Sequence, residues 1–257
     1  MKKNSNVYIF LYITVLVALF TALLTLATSK LSGKIDANKN IEKMTQILQV
    51  AGVEVSEIQD IEHLYNETTE EWIVDKDGNV IATFADGNFL KGNERAFSLA
   101  VKQEYYNASA GEDYMLPVFL IRKDDLTGGN VFADSVFVVS TVGKGLWGEI
   151  SSYIAIADDG NTIMGTVFNH KSETPGLGAE ITSESFRNSF IGKNLFDKEG
   201  NFKSVDISKF AVNQNDKEEL KYHVDAITGA TITSKGVSEM FHDCIELYVP
   251  FLNKYLK

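Results

Sequence analysis

Cysteine is almost missing from this 257-residue chain. Cys244 stands alone, so neither an intramolecular disulfide nor a zinc site built on cysteine pairs is available. Proline is nearly as scarce, at positions 117, 175 and 250, and no proline-rich linker divides the chain. Positive charge is outnumbered: 24 Lys and Arg face 35 Asp and Glu, a net charge of −11. With Lys2 and Lys3 set aside, residues 30–257 carry a balance of −13. Nucleic acid is therefore excluded as a general partner, because binding it needs a basic face that releases counterions. Internal repeats and low-complexity tracts are also lacking. Neither GxxxxGK[ST] nor GxGxxG occurs, which removes the P-loop and the dinucleotide fingerprint. What the chain does have, 44% hydrophobic and 11% aromatic residues, excludes disorder and suffices for a sizeable core.

Charge of either sign is absent from residues 7–28, VYIFLYITVLVALFTALLTLAT. As a helix this stretch covers the roughly 30 Å hydrocarbon core of a bilayer. The rival reading, a cleaved secretory signal, calls for a shorter apolar region and a small-x-small cleavage site, and residues 26–29 (LATS) match one poorly. The segment reads as an uncleaved anchor, with Tyr8 and Tyr12 suited to the interface. Lysines lie on both sides of the span, so the positive-inside rule does not choose an orientation. The span holds no acidic residue, so this chain alone is not expected to conduct ions.

Beyond the span, apolar spacing predicts helices over 34–50, 55–68 and 94–106. Four acidic-Gly-Asn triplets begin at Asp77, Asp86, Asp159 and Glu199 and read as tight turns. The Asp75–Gly78 run fails the calcium-loop spacing and also reads as a turn. Between the turns lie β-rich runs at 72–74, 80–84, 114–121, 135–142, 150–157 and 162–168. The fold class is α+β: an N-terminal transmembrane helix followed by an antiparallel-sheet domain with packed helices. The divisions expected are an anchor over 1–29, a membrane-proximal helical and mixed region over 30–110, and a main domain over 111–257.

Three clusters are richer in Gly, Thr and Trp than a plain core requires. Residues 143–148 (GKGLWG) join two strands and offer either a buried Trp between turn glycines or an indole face for a ring system. Residues 170–178 (HKSETPGLG) read as a loop. His170 and Glu173 lack a third metal ligand nearby, and no metal site is expected. Residues 225–234 (DAITGATITS) lie between a strand-like run at 221–224 and a helix-like run at 235–247. Backbone N–H groups at such a strand-to-helix turn favour a phosphate. Thr233 and Ser234 would serve as N-caps.

The last cluster matches the flavinylation motif D-x-x-[ST]-G-A-T-x-x-[ST] through Asp225, Thr228, Gly229, Ala230, Thr231 and Ser234. On these residues, together with 145–148 and 170–178, the chain resembles the FMN-binding domain family. Its layout is similar to the family of C subunits of sodium-translocating NADH:quinone reductases. The G subunits of the Rnf complexes form a sister family that shares the Thr motif. The resemblance is dense over 140–240 and covers nothing in 50–130. It implies one covalent FMN per chain, phosphoester-linked to Thr231 by a flavin transferase that draws on FAD. Thr228, Gly229, Ala230, Ile232 and Thr233 would surround the linkage, and Leu146, Trp147, Glu173, Thr174, Leu177 and Gly178 would lie against the ring or ribityl chain. Thr231 would be an acceptor, so no catalytic residue is expected; Asp225 and His223 are the nearest candidates for a base.

The role implied is an electron relay within a multi-subunit redox pump of the cytoplasmic membrane, reducing ubiquinone or menaquinone. The chain would be single-pass, with its soluble domain on the periplasmic side. The G subunit of Rnf and a flavin-free, membrane-anchored binding module are the alternatives.

Overall fold

The uncharged stretch belongs to a longer helix, α1 (Asn6–Val50), in a computed structural model that describes residues 6–55, 60–122, 135–208 and 216–256. Helix α1 is long and apolar enough to cross a membrane. Its threonines are compatible with such a setting, because Thr14, Thr25 and Thr28 donate their hydroxyls to the carbonyls of Phe10, Thr21 and Leu24. The expected helix over 34–50 is continuous with the span. It stops in a Schellman motif: Gly52, at φ 89°, donates to Gln49 O at 3.0 Å, and Val53 donates to Leu48 O at 3.0 Å.

The chain divides into two compact units, residues 1–43 and 44–257. In the second, seven antiparallel strands form one sheet. They are β1 (Thr69–Asp75), β2 (Val80–Ala85), β3 (Asn88–Lys91), β4 (Met115–Arg122), β5 (Ser135–Lys144), β6 (Glu149–Ala157) and β7 (Ile163–His170), in the order β3-β2-β1-β4-β5-β6-β7. Strands from both sides of residue 110 share this sheet. The acidic-Gly-Asn turns fall where expected, with φ between 70° and 82° at Gly78, Gly87, Gly160 and Gly200.

Side chains alternate across the pleat. Leu116, Val118, Leu120, Phe137 and Val139 enter one core, while Phe119, Ile121, Val136 and Val138 enter another. With both faces covered, β4 and β5 read as continuous apolar runs. The first core is closed by α5 (Thr231–Leu252), whose Val237, Met240, Phe241, Cys244, Ile245, Tyr248 and Phe251 recur at helical spacing. The second is closed by Met44, Ile47 and Leu48 of α1 and by Tyr65 of α2 (Ile61–Thr68), a helix capped by Asp60.

Three differences from the sequence reading stand out. The expected helix over 94–106 is a 3-10 turn, Ala96–Ser98, followed by α3 (Val101–Ser109). The helix expected over 235–247 begins four residues earlier and ends five later. A second, parallel sheet joins β8 (Asp206–Ser208) to β9 (His223–Asp225), and a short α4 (Glu184–Asn188) packs on β7. Of the expected helix over 55–68, residues 56–59 lie outside the described residues.

Candidate functional site

Strand β9 delivers the chain into a tight turn, Ile227 to Ala230, closed by the Ala230 N–H on Ile227 O at 3.0 Å. Gly229 occupies its third position at φ 82°, where a type II turn needs glycine. Helix α5 starts directly afterwards at Thr231, and its N-cap, Ala230, offers no side-chain acceptor. The first N–H of the helix to return to the backbone is that of Ser234, on Ala230 O at 2.9 Å. Those of Thr231, Ile232 and Thr233 therefore stand open, the usual condition of a helix start. Thr228, Gly229, Thr231 and Ile232 are exposed, whereas Ala230, Thr233 and Ser234 are buried.

Thr233 and Ser234 are thus not the N-caps expected from sequence. The helix opens two residues before Thr233, which turns both hydroxyls inward. Ser234 Oγ accepts the Ile227 N–H at 3.1 Å and braces the turn. Thr233 Oγ1 donates to Glu173 Oε2 at 2.6 Å.

Glu173 is where three segments meet. Its Oε1 accepts the Trp147 N–H at 2.8 Å and the Gly148 N–H at 3.3 Å. The loop holding these amides is closed by the Gly145 N–H on Gly148 O at 2.8 Å and by Ser172 Oγ on Trp147 O at 3.0 Å. A Cβ on Gly145 would sit 2.5 Å from Glu173 Oε1, and one on Gly178 would overlap Oε2 and lie 2.6 Å from Thr233 Oγ1. The glycines make room for the carboxylate. Burial raises the Glu173 pKa, but hydrogen bonds from Thr233, Trp147 and Gly148 outweigh it and hold the carboxyl below its ordinary value. The Glu173 N–H in turn donates to His170 Nδ1 at 3.3 Å. Leu177 closes the arrangement, its Cδ2 2.8 Å from the place a Cβ on Gly229 would occupy.

Trp147 (67% exposed), Ile232 (59%), Leu146 (45%) and Leu177 (42%) are large apolar side chains left in solvent on these same three segments. Thr174 is exposed beside them. Apolar faces for a planar ring, open N–H groups for a phosphate and an exposed Thr231 hydroxyl together fit a flavin mononucleotide. Gly236, which none of the three sequence clusters contains, also braces the site by letting α5 approach Lys144 O. The two candidate bases pair with each other, His223 Nε2 to Asp225 Oδ1 at 3.3 Å. Both border a cleft of about 450 Å³ that also touches Ile227 of the turn, Lys193 and Phe186.

Residues 145–246 match the FMN-binding domain family, and the three segments that meet at Glu173 lie within that stretch. The chain is 32% identical to the C subunit of the Na(+)-translocating NADH-quinone reductase of Neisseria meningitidis serogroup A, over 83% of this chain and 80% of that one. Against the same subunit from Yersinia pestis the identity is 28%, covering 98% and 94%. A crystal structure of the Parabacteroides distasonis homologue superposes with a TM-score of 0.67 at 34% identity, covering 86% of this chain and 96% of that one. The chain belongs to the family of Na(+)-translocating NADH-quinone reductase C subunits.

Proposed function

We propose that this chain carries one FMN on Thr231 and serves as an electron relay in a membrane-bound Na(+)-translocating NADH:quinone reductase. The observation that carries this reading is the placement of Thr231: an exposed hydroxyl at the first position of α5, beside open N–H groups and the exposed Trp147 and Leu177. The flavin supplies reversible electron uptake, and the protein positions it. In attachment, Thr231 Oγ1 bonds to the flavin-side phosphorus of FAD, the pyrophosphate bond breaks, AMP leaves and the hydroxyl proton is released. The base is assigned to a flavin transferase, since His223 and Asp225 are paired together. One negative charge stays on the phosphodiester, and the open end of α5 offsets it within an acidic domain. Thr228, Gly229, Ala230 and Ile232 hold the linkage, while Leu146, Trp147, Thr174 and Leu177 receive the ring and ribityl chain. Helix α1 anchors the chain in the membrane, with the flavin domain on the periplasmic side and other subunits of the pump as partners.

With no dinucleotide fingerprint in the sequence, and with Asp225 and His223 bonded to each other, the relay passes electrons singly and does not itself oxidise NADH. Intact-mass measurement of the full chain coexpressed with a flavin transferase tests the attachment. One FMN is expected on the wild type and none on Thr231→Ala. Full retention of covalent flavin in that variant overturns the assignment.

A further inference from the structure

Buried carboxylates ordinarily pair with a cation. Glu71 follows that rule: it is 1% exposed and meets Arg95 at 2.5 Å. Glu173, the other deeply buried carboxylate among the described residues, does not. It is 4% exposed, and its partners are two backbone N–H groups and a hydroxyl, all neutral. The nearby lysines are engaged elsewhere, Lys171 with Glu149 at 2.8 Å and Lys235 with Glu239 at 3.3 Å, while Lys144 is exposed. His170 offers Nδ1 to the Glu173 N–H as an acceptor, so this nitrogen presents no proton there. Hydrogen bonds from neutral donors stabilise the ionised form without cancelling its charge.

We propose that Glu173 is a potential-setting positioning residue: it ties the Trp147 loop to the first turn of α5, and its charge, paired with no lysine or arginine, would oppose electron uptake by a flavin carried on Thr231. This rests on the attachment of FMN at Thr231. The charge is fixed in place, because three donors converge on it and the missing side chains of Gly145 and Gly178 leave room for this carboxylate alone. At an effective dielectric constant of ~20, one charge ~10 Å from a flavin would shift its one-electron equilibrium about tenfold.

Spectroelectrochemical titration of the full flavinylated chain in detergent tests this, with intact mass confirming attachment in each variant. Glu173→Gln keeps the shape and removes the charge. Its one-electron equilibrium is expected to move about tenfold toward the reduced flavin, ~59 mV upward. Thr233→Val keeps the charge and removes one donor that screens it, so its potential is expected to fall. These opposite signs separate electrostatics from a loosened loop, which would move both variants the same way. Flavinylated Glu173→Gln within threefold of wild type, or Thr233→Val unchanged or raised, overturns the proposal. Thr233→Val decides alone if Glu173→Gln does not fold. Wild type without covalent flavin overturns the Thr231 reading; attached flavin with unmoved potentials overturns only the role of Glu173.

Discussion

The carbonyl oxygen of Lys144 lies where the side chain of any residue but glycine at position 236 would have to go. Lys144 ends β5 and Gly236 sits in the second turn of α5, so this approach seats the helix against the strand that leads into the Trp147 loop. Gly143 meets Met240 in the same way one turn on: a Cβ at position 143 would lie 2.7 Å from Met240 Cβ. Gly236→Ala must push α5 off the sheet. It is expected to cost about 1–3 kcal/mol, read as a lower Tm, and to reduce flavin occupancy by intact mass. Gly33→Ala is the control: it lies within α1 with open space around it and is expected to be neutral or stabilising by up to about 1 kcal/mol.

Replacement of Thr231 by serine keeps a hydroxyl at the same helical position and is expected to retain covalent flavin. Thr228→Ala, at a motif position that takes serine or threonine, is expected to lower the flavin yield without moving the attachment point. Because Thr231 is exposed, Thr231→Ala should change unfolding free energy by no more than about 0.5 kcal/mol, measured by chemical denaturation. A large stability loss in that variant would mean that the hydroxyl serves the fold.

Burial pushes the Cys244 thiol up to about 12, and its Sγ donates to Val142 O at 3.2 Å. At pH 8 the thiolate fraction is then on the order of 10⁻⁴, so native protein is expected to resist iodoacetamide and to react fully once unfolded. The sign of the linkage follows from the raised value. The folded state holds this proton more tightly than the unfolded one, so the contribution is complete below the unfolded thiol pKa and fades as pH rises toward 12. Equal alkylation rates before and after unfolding would contradict the packing of α5.

Orientation is open to a direct measurement. Protease added to intact spheroplasts is expected to digest the flavin domain. Complete protection, followed by digestion after lysis, would place that domain on the opposite side.

Much of the local geometry of the candidate site was legible because it is built from backbone demands that few residues meet. Gly229 in its turn and the stretch from Thr228 to Thr231 mark a strand-to-helix junction without any knowledge of distant contacts. The strands of the main sheet were legible for a related reason: acidic-Gly-Asn turns bracket most of them. Elements of three or four residues escaped. Strand β3 is an exposed edge, and β8 is held by its pairing with the distant β9, itself expected at 221–224 and found two residues later at its start. The inward roles of Thr233 and Ser234 escaped as well, since a hydroxyl near a helix start reads as a cap until its long-range partner is known. Glu173 is the sharpest instance. Its motif neighbours suggest a ligand contact, while its carboxylate is taken up by protein donors 25, 26 and 60 residues away.

Those separations also order events in time. Glu173 can collect its donors only after the β5–β6 hairpin has closed and α5 has docked, and a contact spanning 60 residues forms late because the intervening chain must first give up its freedom. Thr231, the proposed acceptor, therefore meets the Trp147 loop through Glu173 only in a chain whose hairpin and helix have come together. A modifying enzyme that reads those surroundings would pass over immature chains.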